Sequence, residues 1–114
     1  MSLWRYNDVE LDIDMEDVEF QMKYEQAFER MAEEEKKLQT VGKASEFSGG
    51  YVAMFWHLFD GIFGEGTSEK LFNGKKNLGM VDDCYESFIE LCQKDVLEIN
   101  KRRSKRVAKY MPKK

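Results

Sequence analysis

The stretch Tyr51-Val52-Ala53-Met54-Phe55-Trp56-His57-Leu58-Phe59-Asp60-Gly61-Ile62-Phe63 decides the fold. On a helical projection at roughly 100° per residue, Tyr51, Met54, Phe55, Trp56, Leu58, Phe59, Ile62 and Phe63 cover about half the circle. A helix apolar over so wide an arc is central to a core or presents a second apolar face to a partner. In a chain of 114 residues both readings apply. The expected fold is mainly α: one helical domain over residues 1–114, with this aromatic helix between two long amphipathic ones.

Upstream, Phe20, Tyr24, Ala27, Phe28, Met31 and Leu38 recur at steps of three, four and seven and mark the face of a first long helix. Asp14 or Asp17 is its expected cap, Glu33 to Lys37 a favourable i,i+4 pair on its solvated side, and Gly42 its approximate end. Ser45 to Gly50 reads as a connection or a frayed start. Before the helix the period is two: Val9, Leu11, Ile13 and Met15 alternate with Glu10, Asp12, Asp14 and Glu16. Residues 1–15 therefore predict a short strand, paired in a hairpin with Leu3 to Tyr6 through Asn7-Asp8.

Downstream, Gly64-Glu65-Gly66 ends the aromatic helix, and Thr67 or Ser68 is expected to cap a short turn, Glu69 to Phe72, stopped by Asn73-Gly74. A long helix then runs from near Leu78 to about Lys109 on the stripe Val81, Tyr85, Phe88, Cys92, Val96 and Ile99, widened by Ile89 and Leu97. Val107 and Tyr110 keep the phase, so residues 101–114 read as a basic helical tail with cations opposite the stripe, ended by Pro112.

Composition narrows the classes. One proline and eight glycines exclude a collagenous or linker-dominated chain, and no apolar run is long enough for a membrane span. Met1 to Arg5 has no apolar signal core, and two cysteines suit a reducing cytoplasm, the expected location. The net charge of −4 conceals polarity. Twelve acids between Asp8 and Glu35 face only Lys23 and Arg30, whereas Lys101, Arg102, Arg103, Lys105, Arg106, Lys109, Lys113 and Lys114 have no acid among them. Such ends pair with each other, within a chain or between copies, or serve an acidic or nucleic-acid partner. The overall acidity makes nucleic acid the weaker reading, though it survives as the alternative: a small helical regulator using the tail.

Chemical motifs are scarce. His57, three residues before Asp60 on one helix, is the one conventional general base, but no serine or cysteine nucleophile lies in a motif beside it, so no catalytic role is expected. Gly64 to Lys70 lacks the spacing of a phosphate-binding loop. The acidic run from Asp12 has Asp17 and Lys23 where a calcium loop needs glycine and glutamate. Cys84 and Cys92, about two helical turns apart, read as small core residues. No cofactor or metal is implied. Trp56, Phe59, Phe63, Leu71 and Phe72 are the candidates for an apolar partner surface, with Lys101, Arg102, Lys105 and Arg106 for a charged one.

The acidic strand leading into Phe20 to Phe28, the aromatic helix, and the segment Phe63-Gly64-Glu65-Gly66-Thr67-Ser68-Glu69-Lys70-Leu71-Phe72-Asn73-Gly74-Lys75-Lys76-Asn77-Leu78 form a combination. It resembles the small tail assembly chaperones encoded by tailed phages and prophages of Gram-positive bacteria. The resemblance spans most of the chain, and Phe63 to Leu78 is its most specific part. It implies a helical, self-associating protein of the host cytoplasm, absent from the finished virion. Such a protein coats the helical tape measure protein and hands it to tail tube subunits. The resemblance carries no catalytic or ligand residues.

Overall fold

A computed structural model describes residues 2–110. The elements are β1 (Ser2–Tyr6), β2 (Val9–Ile13), α1 (Val18–Leu38), α2 (Ala44–Phe63), α3 (Thr67–Phe72) and α4 (Leu78–Tyr110). The mainly α expectation and the N-terminal hairpin both hold. Pro112, Lys113 and Lys114, the expected end of the basic tail, lie outside the described residues.

The hairpin is antiparallel, with Trp4 opposite Leu11 and Tyr6 opposite Val9. Asn7 (φ 47°) and Asp8 (φ 63°) both adopt the left-handed conformation that a two-residue type I′ turn demands. Asn7 also donates from Nδ2 to the Leu71 carbonyl at 2.8 Å, pinning the turn to α3. A lone two-stranded ribbon is marginal in water, and here α4 supports it. Trp4 Nε1 donates to Ser87 Oγ (3.0 Å), Ser2 Oγ to Asp95 Oδ1 (2.6 Å) and the Tyr6 hydroxyl to the Met80 carbonyl (3.3 Å).

Of the two candidate caps for α1, Asp17 is the one used: its carboxylate accepts the Phe20 N–H at 2.9 Å. The helix stops at Leu38, short of Gly42. Its surface ion pairs are Glu19–Lys23 (3.4 Å), Arg30–Glu34 (3.0 Å) and Glu33–Lys36 (3.3 Å), rather than Glu33–Lys37. Ser45 to Gly50 is not a connection but the first turns of α2. Phe47 stacks one turn before Tyr51 (5.8 Å), and α1 passes close to Gly50 and Gly61. A Cβ at Gly50 would strike the Leu38 side chain, and one at Gly61 would lie 3.3 Å from the Ala27 Cβ. Each glycine costs a helix up to about 1 kcal/mol relative to alanine, and here it permits close packing of α1 on α2.

Thr67 and Ser68 are buried rather than capping, because α3 is capped from outside. Asp60 Oδ1 on α2 accepts the Ser68 N–H at 2.8 Å, and Ser68 Oγ donates to the Trp56 carbonyl at 2.8 Å. Asn77 Oδ1 accepts the Met80 N–H (3.1 Å) at the start of α4. The inward line of α4 is Val81, Cys84, Phe88, Cys92, Asp95 and Ile99. Cys84 takes the central place expected of Tyr85, which is half-buried, and Val96 and Leu97 are left outside the core.

The core is an aromatic cluster to which β1, α2, α3 and α4 contribute. Trp4 lies 5.5 Å from Phe59 and 5.1 Å from Phe88, and Phe59 lies 5.6 Å from Phe88 and 6.0 Å from Phe72. Such pairs add roughly 0.5–1.5 kcal/mol each beyond area burial. The molecule measures 62 × 32 × 21 Å because α4 outruns the body. Ile99 is its last buried residue, and residues 100–110 are all exposed. At ~1.5 Å per residue, about three helical turns extend past the last buried residue. No helix among the described residues is long and apolar enough to cross a membrane.

Candidate partner-binding site

The five aromatic and apolar candidates form a joint rather than an outward patch. Phe59, Leu71 and Phe72 are 0% exposed, while Trp56 and Phe63 are partly buried. The wide arc of α2 is consumed inside the chain: α1 covers one side, and α3, α4 and the hairpin cover the other. Trp56 stacks on Phe72 at 5.9 Å, with Lys76 Nζ 5.8 Å above its ring, and Phe63 lies 5.8 Å from both Trp4 and Phe88. The expectation that these side chains jointly face outward is therefore corrected for Phe59, Leu71 and Phe72.

His57 does not meet Asp60, which is engaged at the start of α3. Its Nδ1 lies 2.8 Å from Glu34 Oε1, linking α2 to α1 beside Arg30. The cysteines are free and buried, with burial pushing both thiols up to about 12 and Asp95 adding to the shift at Cys92. Thiols so raised are poor nucleophiles near neutrality. Among the described residues no group of three or more metal-ligating side chains converges.

The open apolar surface lies instead between the start of α1, with Met15 just before it, and the middle of α4. Met15, Tyr24, Ile89, Cys92, Gln93, Val96 and Leu97 line a groove of about 470 Å³. It continues towards the tail past Glu16, Gln21, Ile99, Asn100 and Arg103. Leu97 is 69% exposed. Only part of this was signalled in the sequence, where Ile89 and Leu97 make the α4 stripe wider than a single buried line needs. Tyr24 is held protonated, its hydroxyl pushed up to about 12 chiefly by burial.

The basic candidates lie beyond the groove. Lys101, Arg102, Lys105 and Arg106 are all exposed, and Arg102 Nη2 reaches Glu16 Oε1 at 3.1 Å. Among the described residues Lys101, Lys105 and Arg106 form no ion pair. Val107 and Tyr110 are 50% and 72% exposed on the same projecting turns.

Fold and surface together define a small mainly α domain with a hairpin along its last helix, an open apolar groove and a projecting basic helical end. The chain belongs to a family of unknown function, DUF6673, whose pattern matches residues 7–114. No curated protein and no solved structure matches it.

Proposed function

We propose that this protein is an assembly chaperone of the phage tail type, which holds an apolar helical client such as a tape measure protein before tail tube subunits take it over. The observation that carries the reading is the groove between α1 and α4, open to solvent and lined by Met15, Tyr24, Ile89, Val96 and Leu97. A groove of this shape accepts the apolar face of an amphipathic helix, and Met15 in its lining suits clients of variable sequence. The segment Phe63 to Leu78, which carries the resemblance, builds the α2–α3 joint and leads into α4. On this reading the protein works in the host cytoplasm as a binding module.

The test is co-expression with a tape measure protein, scored by the fraction of that client that stays soluble. The wild-type chain should raise that fraction, and Leu97→Asp should abolish the gain while helical circular dichroism is retained. An unchanged client fraction with wild-type protein, or full activity of Leu97→Asp, would refute the reading. The exposed cations of the tail keep a second reading in view, in which the tail grips nucleic acid. Tight, salt-sensitive retention on random duplex DNA by the free protein would favour it.

A further inference from the structure

We propose that the groove of one copy is occupied by the C-terminal helical end of a second copy, so that the free protein is a reciprocal antiparallel dimer. Residues 101–110 carry Lys101, Arg102, Arg103, Lys105, Arg106 and Lys109 with no acid, and all are exposed. They also carry two large apolar side chains that are at least half exposed, Val107 and Tyr110. A helix bearing both apolar and cationic groups needs an apolar seat with an acidic rim. The groove supplies it: Val96, Leu97, Met15 and Ile89 form the seat, with Glu16 on its continuation and Asp14, Asp17 and Glu19 close by in sequence.

Charge complementarity is already realised once in the chain, where Arg102 pairs with Glu16. Among the described residues the remaining tail cations form no ion pair, and beyond Glu98 the described part of the helix carries no acid. Two α4 helices crossing antiparallel near Asn100 set Val107 of each copy beside Gln93 of the other, and Tyr110 beside Glu90. The projecting turns, ~15 Å of helix, match the length of the α4 stretch from Glu90 to Ile99. The contact is isologous, so it closes as a dimer and uses both grooves. A client helix and a neighbour's tail then compete for one seat. The dimer stands without any client, whereas the competition rests on the chaperone reading.

The experiment measures the mass of the full chain by light scattering against concentration and salt. It is paired with oxidation of the double variant Gln93→Cys, Val107→Cys. These two positions are ~21 Å apart along one helix and cannot bridge within a chain, so a 93–107 disulfide reports the antiparallel pair. The expected result is twice the monomer mass at ~50 mM salt, falling towards monomer at ~500 mM as the charges are screened. A covalent dimer should form through 93–107. The variant Val107→Glu, Tyr110→Ser should stay monomeric with unchanged helicity, since both side chains lie outside the core. Monomer mass at every concentration overturns the proposal, as do bridges formed only between two Val107→Cys positions or a dimer indifferent to that variant. Tail-dependent retention on duplex DNA by a strict monomer overturns it in favour of nucleic acid. A 20-residue Leu/Ala/Lys amphipathic peptide separates the two claims. Peptide bound by a strict monomer removes the dimer alone, and a dimer that ignores the peptide removes the client alone.

Discussion

Phe59 sits where four elements meet, touching Trp4 of β1, Phe72 of α3 and Phe88 of α4 from its place on α2. Replacing it by serine removes a fully buried ring and leaves a polar group without a partner. Loss of roughly 3–5 kcal/mol is expected from the cavity alone, a large fraction of the ~5–15 kcal/mol that holds a chain of this size folded. Urea denaturation checks this, and a Phe59→Ser variant with wild-type midpoint would mean that the ring is not the hub. Asp60 works on a smaller scale. Its carboxylate accepts the Ser68 N–H from outside α3, so Asp60→Ala leaves that donor without its partner. A cost of about 0.5–2 kcal/mol follows by analogy with an N-cap, read as a lower thermal midpoint with the helical spectrum retained. Asp60→Asn, which keeps an acceptor oxygen, should recover most of it.

Among the elements the hairpin is the least self-sufficient, held by three side-chain bonds to α4 and one to α3. Asp8 occupies a left-handed position at the exposed side of its turn. Glycine fits that conformation without strain, so Asp8→Gly should stabilise the protein by roughly 0.5–1 kcal/mol. A thermal midpoint that falls instead would show that the aspartate does more than occupy the turn. The strands, α1, α2 and α4 were legible because period two and period 3.6 are written plainly in Val9 to Met15, Phe20 to Leu38 and Val81 to Ile99. The first turns of α2 were not, because Gly49 and Gly50 signal a break. What overrides that signal is the approach of Leu38, a tertiary contact. The site was legible only in outline. The excess apolar arc of α2 was visible, but not that α3 and the hairpin would cover it, which left the groove to Leu97 and Ile89 on α4.

Across the whole molecule, the strongest pH response lies on the alkaline side. Cys84 and Cys92 on α4 are raised from an ordinary 9.0 to about 12 by burial. Tyr24 on α1 is raised from 10.0 to about 12 by burial. Tyr51 on α2 also reaches about 12, chiefly because its hydroxyl donates to Asp82 at 2.6 Å. Each of these groups holds its proton more tightly folded than unfolded. Their contribution is therefore complete below the unfolded values near 9 and 10 and is lost as pH rises towards 12. Since the four groups lie on three helices that share one core, their ionisation should loosen the body as a unit. Denaturant midpoints should hold level from pH 7 to about 9 and then fall steeply. Cys84→Ala, Cys92→Ala should blunt the fall, leaving the tyrosine part above pH 10, even though it lowers the midpoint at pH 7 by removing two buried sulfurs. The slope against pH, not the absolute midpoint, is the readout, and an identical slope in the variant would place the alkaline sensitivity outside the α4 thiols.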